Sequence, residues 1–327
     1  MKTLLAARTI GLRFALGDIG IMLTFRFMSV DGALGQLVFD PDRPAFSWGE
    51  LPPGTVGVVV RAYRIEKDLP WLTVLPDAIR YVPNQYDRYF IDFEGTFEGY
   101  LSRFSSKSRS TLKRKVRKFS TYAGGVVQWR EFRSPDEMQR FYDLAREVSA
   151  KTYQERLLHA GLPETPQFRQ RMSGLAEAGK ARGYVLFHAN QPIAYLFCPM
   201  EAGVLRYDYV GYDPTYSGWS PGTVLMYHVL ERLFAEGGHR VFDFGMGGGP
   251  HKEFFSTAKA RCADIYYWRR TVRNLATVCL HHATECISRA CGRVLEALKV
   301  KGRVKKLLRG WHRTGAAPGT PSPPYPL

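Results

Sequence analysis

The sequence predicts an α+β fold in which a mixed, mostly antiparallel central sheet is flanked by helices. Three observations predict it. Runs rich in β-branched and aromatic residues alternate with runs whose apolar residues recur at helical spacing. Two strand candidates, Leu205–Val210 and Arg240–Phe244, each lead into a glycine-rich turn that opens a helix. Of the 327 residues, 45% are hydrophobic, enough for a packed core. No uncharged apolar run reaches the roughly 18 residues of a membrane span.

Taken in order, residues 1–97 are expected to form an N-terminal α/β region. Its opening, MKTLLAARTIGLRFALGDIGIMLTF, is interrupted by Arg8, Arg13 and Asp18 and lacks a small-residue cleavage site, so no signal peptide is expected. Leu101, Phe104, Leu112, Val116 and Phe119 then recur at helical spacing, so one stripe can pack while the Lys/Arg side faces water. From Val126 the pattern runs strand, helix, helix, strand, strand, strand, helix, strand, helix, strand. Gly183–His188 and Pro192–Met200 read as strands joined at Asn190 and Gln191. After Leu205–Val210, Gly218 and Gly222 make a turn, with Ser220 as N-cap and Pro221 as first helical residue. Val224, Leu225, Val229, Leu230, Leu233 and Phe234 carry the helix. Arg240–Phe244 is followed by Gly245, Gly247, Gly248, Gly249 and Pro250, then a short helix with His251, Lys252, Phe254 and Phe255, then a strand at Asp264–Arg269. The main domain is therefore expected over 98–270. Residues 271–313 read as a basic amphipathic helical tail, and 314–327, rich in Pro, as a disordered end.

The formal net charge of +16 is concentrated. Arg103–Lys118 holds eight Lys/Arg and no acid, and Arg269–Arg313 holds twelve against only Glu285 and Glu296, so the rest of the chain is close to neutral. Two basic helices on a neutral body imply an acidic partner surface, and the C-terminal one can either dock on the protein's own core or lie on an anionic membrane. Nucleic acid is not the expected partner, because no RNA- or DNA-binding signature accompanies the basic runs. Five cysteines, three on one apparent helix, point to a reducing cytoplasm rather than a disulfide framework. Cys279, His282 and Cys286 share a helical face but lack a fourth ligand, so no metal site is expected. Cys198, inside a strand without a nearby base, reads as core.

A strand, glycine turn and helix start direct unpaired backbone N–H groups and the positive helix end at one spot, which suits a pyrophosphate. Through GYDPTYSGWSPGTVLMYHVLE, FDFGMGGGPHKEFF and GYLSRFSSKSRSTLKRKVRKF, roughly Tyr89 to Arg270 resembles the GNAT acyltransferases. Within them it is most similar to the cellulose-biosynthesis-type acetyltransferases, relatives of the tandem-domain Fem peptidyltransferases. Ser217 stands where a common GNAT loop has Arg or Gln, Ser220 where a second Gly is frequent, and His251 where this branch has Tyr.

The resemblance implies an acyl-CoA donor, acetyl-CoA or longer, lying between two strands that splay apart. The acyl group would pass directly to an amine or hydroxyl of a sugar, lipid or envelope precursor. Leu205–Val210 would hold the pantetheine arm, with Val210 or Gly211 near the thioester carbonyl. Gly218, Trp219, Ser220, Gly222 and Thr223 would take the pyrophosphate, with Lys252 as a phosphate or substrate contact. Asp208 and Asp243, each near the C-terminal end of a strand, are alternative candidate bases, and structural hydrogen bonding is an equal reading of both. His251 is the candidate acid. Lys151, Thr152 and Tyr153 are implied on the acceptor side. Two other readings stand beside this one: a Fem-like transferase using aminoacyl-tRNA, and a non-catalytic membrane-surface binding protein.

Overall fold

The structure, a computed structural model, describes residues 6–16, 19–31, 40–44, 46–152 and 161–297. In chain order the strands are β1 Ala6–Leu16, β2 Ile19–Asp31, β3 Gly57–Arg64, β4 Leu72–Val74, β5 Ala78–Asp92, β6 Trp129–Phe132, β7 Ala181–His188, β8 Gln191–Glu201, β9 Val204–Arg206, β10 Tyr209–Tyr212, β11 Val241–Met246 and β12 Ala258–Arg269. The α-helices are α1 Phe97–Ser102, α2 Ser106–Tyr122, α3 Pro135–Ser149, α4 Pro166–Glu177, α5 Pro221–Glu236, α6 Pro250–Phe255 and α7 Val272–Ala297. Expected residues from 298 onward, Tyr153 and the Pro-rich end lie outside the described residues.

The chain divides into two compact units. One comprises the described residues up to 87 together with those from 260 to 297, and the other comprises 88–259. The sequence reading had placed 98–270 in one domain with a helical tail after it. In the structure the last strand and α7 instead belong with the N-terminal strands. Among the described residues before Phe97 there is no α-helix, so the region expected as α/β is built of strands and a short 3-10 turn.

In the first unit β1 and β2 form an antiparallel hairpin, β2 pairs β3 in parallel, and β3 pairs β12 antiparallel. Strand alternation explains its two apolar layers. Ile265 and Tyr267 join Val58 and Val60, while Tyr266 and Trp268 join Val59 and Tyr81. The β3–β12 register shifts between Ala263 and Ile265. There the Asp264 carboxylate accepts from Ala62 N–H at 2.9 Å and Tyr86 O–H at 3.1 Å, replacing the ladder bonds the bulge breaks. Val278 of α7 is fully buried in the second layer, and His281 shares a 2.6 Å hydrogen bond with Tyr81.

In the second unit the strand order is β5, β11, β9, β8, β7, β6, with β10 also on β8. Only β9 and β11 pair in parallel; the other pairs are antiparallel, giving the mostly antiparallel sheet expected. Ala194, Leu196 and Cys198 of β8 join one apolar cluster with α1, α2 and α5, while Tyr195 and Phe197 join another with α3 and α4. The helices start where short polar residues can cap them. Ser105, Ser134 and Thr165 each accept a hydrogen bond from a first-turn N–H, and Ser134 forms a capping box with Glu137.

Candidate active site

The stretch expected as one strand, Leu205–Val210, is broken. Leu205 faces Met200 on β8, so an unbroken strand would set Tyr209 opposite Leu196; it lies opposite Phe197 instead. The register has slipped by one residue, with Asp208 N–H also donating to Phe197 O at 3.3 Å. This is a β-bulge, which re-aims side chains and bends the strand. On its other edge β9 pairs with β11 from Val204–Val241 as far as Arg206–Asp243, extended by Tyr207 N–H to Asp243 O at 2.9 Å. Beyond that point β10 stays on β8 while β11 continues against β5, so the two neighbours part. Asp213 N–H donates to Ile193 O at 2.8 Å, which fixes Asp213, Gly211 and Tyr209 as the residues bonded to β8. Val210, between them, therefore turns its N–H and C=O into the gap.

The mouth of the gap is the loop Pro214–Trp219, a 3-10 turn leading into α5. Asp213 anchors its start, accepting from Thr215 N–H at 3.0 Å and Thr215 O–H at 2.7 Å. Lys151 at the end of α3 reaches Asp213 Oδ2 at 3.4 Å. On the other side α2 clamps the loop. Lys118 Nζ donates to Gly218 O at 3.1 Å and lies 4.6 Å above the Trp219 ring, while Tyr122 stacks between Trp219 and His188 at 4.0 and 4.3 Å. Ser220 occupies the N-cap position and Pro221 the first helical one, as expected. The capping itself differs: Ser220 is left-handed (φ 53°) and its side chain makes no cap bond. The N–H groups of Ser220 and Thr223 are used internally, on Ser217 O and Ser220 O. Among the described residues Gly222 N–H has no chain acceptor at the positive end of α5, and a Cβ there would meet nothing closer than Tyr212 at 3.8 Å.

Residues 106–253 match the family model for the Acetyltransferase (GNAT) domain. The match runs from α2 into α6 and contains every site residue named from the sequence. Among solved structures, FemX aligns over 85% of this chain and 91% of its own, with 10% identity and a TM-score of 0.53. The C-terminal domain of a putative lysylphosphatidylglycerol synthetase from Agrobacterium fabrum aligns over 72% and 73%, at 11% identity and a TM-score of 0.45. L-PGS from Bacillus licheniformis aligns over 71% and 73%, at 16% identity and 0.44. No curated protein matches. The fold is thus GNAT-like, with the parted strands and the loop–helix junction in the matched segment.

Within the matched segment the two aspartates have opposite surroundings. Asp208 has a side chain only 9% exposed, and its Oδ2 accepts no hydrogen bond, with Arg206 Nη2 3.5 Å away. Burial pushes its carboxyl up to about 6, against the opposing pull of Arg206 and Arg171. Asp243 is 1% exposed, and its carboxylate is gripped by Arg88 through Nε at 2.9 and 3.0 Å and by Nη2, with Gly245 N–H adding a bond at 2.9 Å. That engagement fits a structural ion pair and leaves no oxygen unpartnered, whereas Asp208 has a buried oxygen with no hydrogen-bond partner among the described residues. His251 at the start of α6 stacks near Tyr207 at 6.1 Å and contacts Phe255. Its Nε2 is buried without a partner among the described residues, and burial, with Lys115 and Lys252 nearby, shifts the imidazole's pKa below its ordinary value. Lys252 donates to Met246 O at 2.8 Å, so it braces the glycine turn.

The remaining sequence candidates sort by contact. A Cβ on Gly211 would lie 2.6 Å from Tyr195 and 2.9 Å from Thr152, so Gly211 is small for packing and its N–H points to β8. Thr152 is buried and bonds Ser149 O at 2.8 Å, which makes it part of that packing rather than an open contact. Sequence reasoning missed Arg88, Lys118, Tyr122 and Arg171. Only the charge run of α2 signalled any of them.

Proposed function

We propose that this chain is an acyl-CoA-dependent N- or O-acyltransferase, with acetyl as the acyl group and a sugar, lipid or envelope precursor as acceptor. The parting of β10 from β11 at the Asp208 bulge, opening onto the α5 N-terminus, carries the reading. The pantetheine arm lies along β10, and Val210 N–H meets the thioester oxygen as it becomes an oxyanion. Gly222 N–H and the helix end take phosphate, with Lys118 beside them. Asp208 removes the proton from the attacking amine or hydroxyl. The acyl carbon forms its new bond to that nitrogen or oxygen as its bond to sulfur breaks, and the thiolate leaves in the field of Lys115 and Lys252. The likeness to cellulose-biosynthesis-type acetyltransferases supports the acceptor class.

Calorimetric titration with acetyl-CoA and a longer acyl-CoA tests the donor. Micromolar binding is expected, and Gly222→Asp, which sets a carboxylate against phosphate, abolishes it. No binding by the wild type overturns the reading. A second reading, aminoacyl-tRNA as donor, has its own support: none of the seven Lys/Arg of α2 forms an ion pair among the described residues. Membrane-surface association is supported by the exposed stripe Val272, Leu280 and Ile287 on α7. No helix among the described residues is long and apolar enough to cross a membrane.

A further inference from the structure

Several guanidinium groups around α3 and α4 are matched to acids, while Arg140 is left exposed to water. Arg146 pairs with Glu164, Arg169 reaches Asp143 at 3.9 Å and covers the Tyr142 ring at 4.2 Å, and Arg182 sits between Glu131 and Glu236. Arg171 differs. Among the described residues it makes no hydrogen bond, ion pair or ring contact, although it is only partly exposed. It lies one turn after Phe168, whose ring packs edge-on against Tyr209 at 5.0 Å, so α4 presents this face to the bulged strand. Its charge acts there on Asp208, Arg206 and Tyr209.

The cluster at the bulge thus holds two guanidinium groups and one carboxylate. Arg206 lies 3.5 Å from Asp208. Arg171 is the cation left over, beside the one candidate base with an open oxygen. A guanidinium withdrawn from water without an acceptor is costly, and its planar fork matches a carboxylate or phosphate in a bidentate way. We propose that Arg171 binds an anionic group of the acceptor, a carboxylate or a phosphate monoester, and so sets the amine or hydroxyl against Asp208. This rests on the acyltransferase reading for the identity of the bound molecule as acceptor.

The test uses two matched pairs of small amines as probes: glycine against glycinamide, and ethanolamine phosphate against ethanolamine. Binding to the full chain is read from the ¹⁵N signal of the Arg171 Nε–Hε group, assigned by its loss in Arg171→Gln. One anionic member should bind about thirtyfold or more tightly than its neutral twin. Which pair discriminates tells carboxylate from phosphate. Followed by calorimetry, Arg171→Gln should erase the preference and Arg171→Lys, which keeps the charge without the fork, should restore part of it. Should the Gln variant not fold, weakened discrimination in the Lys variant carries the result. Acetyl-CoA affinity should be unchanged in both. Equal binding of the twins, no binding by either anionic probe, or a preference that survives in Arg171→Gln overturns the proposal. Failure of the donor reading would look different, with the anion preference intact and acetyl-CoA not bound.

Discussion

At Asp208 the same burial that prepares a base also opposes folding. Its proton is held more tightly in the folded chain than at the ordinary aspartate value near 4, so the ionised form destabilises the fold. The penalty is absent below about pH 4, grows through the interval, and is complete above about pH 6, where the shift corresponds to roughly 2–3 kcal/mol. Asp208→Asn is therefore expected to raise stability at pH 8 by about 2 kcal/mol, with no gain at pH 4. Chemical denaturation at both pH values checks this. In the same variant acyl transfer should fall about 10²–10⁴-fold, and the rise of wild-type rate through about pH 6 should disappear. A variant as active as wild type at pH 8 would remove Asp208 from the chemistry. The sequence could name Asp208 and Asp243 together but could not separate them. Arg88, which occupies Asp243, is 155 residues away, and nothing local distinguishes a paired carboxylate from an open one.

Among the elements, the strand, the turn and α5 were legible because each is written in local residue preference, down to Pro221 at the first helical position. The bulge was not, because a one-residue slip is defined against β8 and leaves no mark in β9 or β10 alone. The clamp on the loop was hidden for the same reason: Lys118 and Gly218 are 100 residues apart. Its physical effect is to order the loop before a ligand arrives, so that donor binding does not have to supply that ordering. Tyr122, 38% exposed yet stacked on both Trp219 and His188, lies on the solvent side of the clamp. Tyr122→Ala should leave global stability within about 1 kcal/mol and weaken acetyl-CoA by about tenfold, mainly through faster dissociation. Unchanged dissociation in stopped-flow displacement would mean that the loop is rigid without α2.

Over the whole molecule the sequence leaves α7 with two readings. Periodicity shows an amphipathic helix that can dock on the protein's own core or lie on an anionic membrane. One side of it packs inside the first unit, where Val278 is 0% exposed and His281 is buried against Tyr81 and 5.1 Å from the Phe14 ring, while Val272, Leu280 and Ile287 stay exposed on another side. Sequence could not choose between the two, because Tyr81, the partner of His281, lies 200 residues earlier. Burying two or three such side chains contributes roughly 5 kcal/mol, comparable with the whole stability of an ordinary domain. Val278→Asp, which keeps the chain at full length, should therefore strip protection from the amides of β1 and β12 in hydrogen exchange. Protection of β8 and α5 in the second unit reports whether the loss stays local. Truncation after Arg270 should do the same and bring aggregation through the exposed Phe14 and Trp268 layer. If β1 and β12 stay protected in both variants, the helix is a dispensable tail, and its apolar side is then open for a membrane.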